Sequence, residues 1–171
     1  MKNVFRNYFV KSYKFEHNIE YEGFIAKIND ITVINLDNTI GQYYYCYIFH
    51  HSLTMEKKFF ITFCSDYDED DLSLILNDNN YMFIHTGHSI FCIDQSLNII
   101  ANCDLSSRLI GTYHSDSSNF IILCELELVI INPFEKTIKS ISFDDIVYDF
   151  SFNDHTLTIN MDNAGILTFI V

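Results

Sequence analysis

Apolar runs of five to nine residues, rich in Ile, Val, Phe, Tyr and Thr, recur along the chain and are broken by short clusters of Asn, Asp, Ser and Gly. That is the rhythm of strands and tight turns rather than of helices. It predicts strands at Val4–Phe15, Gly23–Ile28, Ile31–Leu36, Gln42–His50, Lys58–Cys64, Tyr81–His85, Ser89–Asp94, Ile99–Cys103, Leu109–His114, Asn119–Glu125, Leu128–Asn132, Thr137–Ser142, Val147–Asn153, Thr156–Met161 and Ile166–Val171. Turns are predicted at Asn29-Asp30, Asp37-Asn38, Asn77-Asp78-Asn79-Asn80, Thr86-Gly87, Asn132-Pro133, Asn153-Asp154 and Asp162-Asn163-Ala164-Gly165. These residue types tolerate left-handed backbone or bond to their own backbone. One short helix is expected near Asp70–Leu76, its acids in the first turn where the helix dipole favours them. The expected fold is all-β, with antiparallel meanders in an incomplete propeller-like or sandwich arrangement of two to three small sheets.

The pattern also repeats. Sliding Tyr81–Leu105 forward by 38 residues onto Asn119–Phe143 needs no gap and superposes Ile84 on Ile122, Ile93 on Ile131 and Ile100 on Ile138, three identities in 25 pairs. A small meander cannot bury its face alone, and this period is close to the roughly 40–50 residues of propeller blades. Two or three such units cannot close a ring. The expected organisation is a single domain, 1–171, with an N-terminal β part (1–62), an acidic connector (63–80) and two meander repeats of about 38 residues (81–171).

Composition sharpens this picture in one respect. A hydrophobic fraction of 49%, with 16 Phe and 11 Tyr, supplies ample core for 171 residues. The charge is unevenly placed: residues 1–62 hold seven Lys/Arg against six Asp/Glu, and residues 63–171 hold three against seventeen, giving +1 and −14, or −13 in all. A field of that sign opposes phosphate backbones and anionic lipid, so neither direct nucleic-acid binding nor membrane association is expected. It suits a positively charged protein partner. No run of 18 uncharged apolar residues occurs, and Met1-Lys2-Asn3-Val4-Phe5-Arg6 lacks the features of a secretory signal. Five cysteines, at least 11 residues apart and mostly within apolar runs, read as free buried thiols. A reducing cytoplasm is the expected compartment.

Two acidic groups are the candidate protein-binding residues. The first is the run Asp66, Asp68, Glu69, Asp70 and Asp71. Its carboxylates at 66, 68 and 70 are spaced like the start of a calcium loop, but Asp71 stands where that loop needs glycine and Asn77 where it needs a bidentate Glu. Such mutual repulsion costs stability, which favours a contact role for these acids. The second group is Asp144, Asp145, Asp149 and Asp154, with Tyr148 or Tyr113 as an aromatic anchor at its edge. Period-2 alternation puts Asp145, Val147 and Asp149 on one face and Ile146, Tyr148 and Phe150 on the other, one acidic and one core.

Other chemistry is not signalled. His85-Thr86-Gly87-His88 and His50-His51 lack the further ligands of a zinc site, so no metal or cofactor is expected. There is no nucleophile elbow and no phosphate-cradling glycine loop, so no enzyme activity is expected. Tyr43, Tyr45 and Tyr47 form a one-sided stripe that suits the edge of a core or a sugar platform.

The stretch Ile146-Val147-Tyr148-Asp149-Phe150, Leu157-Thr158-Ile159 and Asp162-Asn163-Ala164-Gly165 looks like the closing strands of a propeller-type meander. Within residues 80–171 it also resembles small acidic β proteins that bacteria encode as immunity partners of secreted toxins, including those of contact-dependent inhibition systems. The resemblance implies an immunity protein that masks the basic active site of a cognate toxin, a nuclease groove being necessarily positive. A structural β module pairing through strand edges is the first alternative, and a calcium or carbohydrate binder the second.

Overall fold

A computed structural model describes residues 8–36, 41–76, 81–114, 119–153 and 155–170. The predicted turns at Asp37-Asn38 and Asn77–Asn80, the segment before Tyr8, and Asp154 lie outside the described residues. The chain is all-β and built of small sheets, almost entirely antiparallel. It divides into two compact units, residues 1–99 and 100–171.

In the first unit, β1 (Tyr8–Phe15), β3 (Tyr43–His51), β4 (Lys57–Ser65) and β2 (Thr32–Asn35) form a sheet in the order β1-β3-β4-β2, with β2 parallel to β4. Strand β3 is apolar at consecutive positions because both its faces are covered. Tyr45, Tyr47 and Phe49 enter one core with Phe59, Ile61, Phe63, Met82, Ile84, Phe91 and Ile93. Cys46, Ile48 and Phe60 on the other face pack under Phe15, Phe24, Ile25, Ile28 and Ile31. Two members of the tyrosine stripe are thus core residues, and Tyr45 Oη donates to the Tyr67 carbonyl at 2.8 Å.

Helix α1 (Asn18–Ile25) replaces the start of the strand expected at Gly23–Ile28. It has no buried residue and no side-chain N-cap, and Glu20 in its first turn is a weak mark of a helix. Aromatic contacts with β1 hold it instead, Phe24 lying 5.2 Å from both Tyr13 and Phe15. The helix expected at Asp70–Leu76 is also corrected. Asp68 caps a single 3-10 turn at Glu69–Asp71, and β5 (Ser73–Leu76) then pairs with β6 (Met82–His85). The backbone bonds offered by the β6 edge outweigh a weak helical preference over four residues.

The meanders follow. Strands β5, β6, β7 (Ser89–Ile93) and β8 (Ile99–Asp104) lie in sequential order in one sheet. Strands β9 (Leu109–His114), β10 (Phe120–Cys124), β11 (Glu127–Asn132) and β12 (Thr137–Ser142) do so in the next. The last has three, β13 (Val147–Asn153), β14 (Thr156–Met161) and β15 (Gly165–Ile170). Sheets number four among the described residues, one more than the upper expectation, because the N-terminal strands close a sheet of their own. Met82 to Phe120, Ser89 to Glu127, Ile99 to Thr137, Leu109 to Val147 and Glu127 to Gly165 are each 38 residues apart, so the strand starts keep step through the meanders.

The second unit has its own core between the last two sheets: Ile121, Leu123, Leu128, Phe143, Val147, Leu157, Ile159 and Met161. Gly111 is required by a close approach, since a Cβ there would lie 2.5 Å from Phe150 Cζ. Gly165 has φ +84° at the β14–β15 turn, the left-handed region that favours glycine. All five cysteines are free thiols, and burial pushes Cys46, Cys92 and Cys124 up to about 12. As inert neutral groups they pack as small hydrophobes.

Candidate interaction site

The two acidic groups fall in different units and are put to different uses. All five acids of the first group are exposed, on the turn that follows β4. The chain itself engages several of them. Asp68 Oδ1 accepts from Lys14 Nζ at 2.7 Å and from the Glu69 amide at 3.0 Å. The lysine contact first, then the amide, holds the Asp68 carboxyl below the usual range. Glu69 accepts from Ser12 Oγ, and Asp66 Oδ1 accepts from the Gln42 amide at 3.0 Å. His88 Nε2 stands 3.9 Å from Asp66 Oδ2. The run is therefore in part a clasp that fastens the turn to β1. Among the described residues no group of three or more His, Cys, Asp or Glu is arranged to hold a metal ion.

His85 and His88, which flank the same hairpin, separate in role. His88 is half exposed and meets Tyr67 edge-on at 5.0 Å. His85 is buried, with Nε2 donating to the Gly87 carbonyl at 3.2 Å. Burial pushes its pKa below the usual range, opposed by that carbonyl. The folded pKa is depressed, so the unfolded chain takes up the proton first as pH falls below about 6.5. Stability is then expected to decline between that pH and the lower folded pKa, by at most about 1.4 kcal/mol per pH unit. Urea titrations at pH 7.0, 6.0 and 5.0 should show this decline in the native chain and a flatter profile in His85→Gln. Equal slopes would mean that His85 is not the group responsible.

The second group lies at one end of the β13–β14–β15 sheet. Asp145 precedes β13 and reaches the β14–β15 turn, where its carboxylate accepts from the amides of Asn163 and Ala164, the latter at 2.8 Å. It also accepts from the Ile146 amide at 2.9 Å. These backbone donors, Asn163 foremost, hold its pKa below the usual range. Asp145 is a turn organiser that also carries charge. Asp144 and Asp149 are exposed, and Asp149 meets Asn160 Nδ2 at 3.4 Å. Asp162, read from the sequence only as a turn residue, joins them, its amide donating to the Ile146 carbonyl at 3.2 Å. None of these four acids is within ion-pair distance of a base among the described residues.

The predicted alternation in β13 fails at one point. A bulge between Val147 and Asp149 sets Tyr148 and Asp149 together on the outside, while Val147, Phe150 and Phe152 turn to the core. An extra residue shifts side-chain direction by one, so Val147 does not share a face with Asp149 and Phe150 does not share one with Tyr148. Tyr148 is 64% exposed beside the acids, as an aromatic anchor must be. Tyr113 is not such an anchor: it stacks on Phe152 at 4.1 Å against the core. Sequence reasoning missed Glu127, a buried carboxylate that accepts from Ser106 N and Oγ and from Ser140 Oγ.

The fold and the site define a class only: an all-β chain of small meanders whose last sheet carries an acidic end with no ion pair among the described residues. No protein-family model matches the chain, and no curated protein matches its sequence. Among solved structures, the computationally designed Ika4 protein is similar over 85% of this chain and 94% of its own, at 9% identity and a TM-score of 0.51. The N-terminal domain of Nup159 is similar over 95% of this chain and 47% of its own, at 9% identity and a TM-score of 0.49. The WD40 domain of Pan2 from Neurospora crassa is similar over 97% and 57%, at 11% identity and 0.44. This chain spans about half the length of those two natural domains. The likenesses concern fold alone. No helix among the described residues is long and apolar enough to cross a membrane.

Proposed function

We propose that the chain is a binding protein that covers a positively charged surface of another protein, and that this partner is a toxin whose basic active site it masks. One observation carries the reading: Asp144, Asp145, Asp149 and Asp162 gather beside exposed Tyr148 with no base among the described residues within ion-pair distance. Uncompensated like charges cost stability, and a basic partner would relieve that cost on binding. A masking protein needs no chemistry of its own. The resemblance to bacterial immunity proteins supplies the setting, a nuclease being the toxin class whose groove must be positive, and with it a cytoplasmic site of action.

The test takes the protein encoded beside this chain's gene. A neighbour with a basic C-terminal domain should be bound and inhibited, with association slowing as salt rises. The combined variant D144K/D149K/D162K should slow association about 10- to 100-fold. It spares Asp145, whose loss would disturb the turn. A neighbour with no basic domain, or inhibition indifferent to the three reversals, would count decisively against masking.

A further inference from the structure

Strand β15 occupies the place in its meander that β7 and β11 occupy in theirs, but those two are enclosed and β15 is exposed almost throughout. Its outer edge pairs with no strand among the described residues. Proteins protect such edges with charges, bulges, proline or brevity. Strand β1 carries Lys11 and Lys14, β8 carries Asp104 and β12 carries Lys139. Strands β9 and β13 are bulged, and β2 and β5 have four residues each. Strand β15, Gly165-Ile166-Leu167-Thr168-Phe169-Ile170, has none of these defences. Two of its side chains on the outer face, Ile166 and Ile170, are 68% and 89% exposed.

We propose that the β15 edge receives an extended segment of the partner as a fourth, antiparallel strand, apolar where it faces Ile166 and Ile170 and basic toward its C-terminal end. The proposal rests on the masking reading for the sign of the partner's charge. Register places the charge. Asp149, Asn160 and Ile166 form one row across the sheet, and Asn153, Thr156 and Ile170 another. The four acids therefore lie toward the Gly165 end of the sheet, Asp162 in the β14–β15 turn with Asp145 bonded to it, and Asp149 two strands away on β13. The Ile170 end opens on a groove of about 430 Å³ that Lys139 and Glu135 also line, so no comparable excess of acid stands there. A strand antiparallel to β15 ends at Gly165, which brings its last residues to Asp145 and Asp162. A second copy of this chain is the poorer occupant, since each copy carries −13 and the Ile170 end of its own β15, which antiparallel pairing would bring to Gly165, has no basic residue. Backbone bonds along the edge would give affinity, and the two isoleucines and the acids would give register.

The probe is a capped ten-residue peptide in which valine alternates with threonine in the first half and with lysine in the second, compared with its order-reversed isomer by fluorescence anisotropy. The first peptide should bind at least about 10-fold more tightly than the isomer, and more weakly in 500 mM than in 50 mM salt. Ile166→Lys and Ile170→Lys should each lose at least about 10-fold with an unchanged melting temperature, while Ile170→Val should bind as the native chain does. Equal binding of the two isomers, or full binding by both lysine variants, would overturn the proposal. So would a dimer in sedimentation that the peptide fails to dissociate. A peptide with serine in place of lysine that binds equally well would refute the basic partner, here and in the masking reading alike. Absence of all peptide binding, with the three aspartate reversals still abolishing inhibition of the toxin, would refute the edge alone.

Discussion

Phe49→Ala is expected to destabilise the chain by about 3–5 kcal/mol, the usual cost of emptying a fully buried phenylalanine site. Phe49 has no exposed surface and stacks on Phe59, its cross-strand partner, with ring centroids 4.2 Å apart. The pair joins the two central strands of the first sheet on the face that holds the larger core of that unit. Ile48 pairs with Phe60 on one side and, past a bulge at Lys58, His50 pairs with Lys57 on the other, so the ring's space can only partly collapse. For a chain of this length the loss corresponds to roughly 6–20 °C in melting temperature. Phe49→Leu, which keeps most of the volume, should cost about 1–2 kcal/mol. Urea unfolding measures both. An alanine variant within 1 kcal/mol of the native chain would mean that the stacked pair is not central to the core.

The strands were legible because period-2 patterning reports which face of a strand is covered, and turn residues report where it ends. Strand β3 could be read instead from the continuous apolar run at Gln42–His50, and the spacing of 38 that runs from Met82 to Phe120 from the recurrence of such strands. Helix α1 was not legible. It has no apolar stripe, and it exists through ring contacts with Tyr13 and Phe15 that only the folded chain brings together. The bulge in β13 was hidden for a similar reason. Two exposed residues in succession, Tyr148 and Asp149, look like an ordinary alternation until pairing with β14 shows which of them has no partner.

Acidity was legible and its use was not. Sequence shows seventeen acids after residue 62 but gives no means of separating those that bind the chain itself from those left open. Asp68 is clasped by Lys14 from a strand 54 residues earlier, and Asp145 holds the amides of a turn 18 and 19 residues later. Asp162 belongs with Asp144 and Asp149 only because β14 returns to the same end of the sheet as the start of β13. Residue type fixes the charge. Register decides where that charge is presented, and the open β15 edge beside it follows from pairing alone.

Glu127→Ala is expected to cost about 2–4 kcal/mol, because it removes one buried carboxylate that accepts three hydrogen bonds at once. Glu127 opens β11 at 5% exposure, between Leu126 and Leu128, and sequence gives it no distinguishing mark. Its Oε1 accepts from the amide and the hydroxyl of Ser106, the latter at 2.7 Å, and its Oε2 accepts from Ser140 Oγ at 3.1 Å. The serine hydroxyls can rotate to other acceptors. The Ser106 amide is fixed by the backbone, and its bond to a charged group is worth about 1.5–3 kcal/mol. Glu127→Gln retains an acceptor oxygen and should lose only about 1 kcal/mol, which makes the bonds rather than the charge the source of stability. Chemical denaturation of both variants, with Ser106→Ala to close a double-mutant cycle, measures the coupling. An alanine variant as stable as the native chain would refute the assignment. The same pair tests the placement of charge: Glu127→Gln and Asp149→Asn each change the net charge by one, but only the second should weaken binding of a basic partner. Recognition would then depend on where a carboxylate is presented, and the sum of −13 would be a poor guide to it.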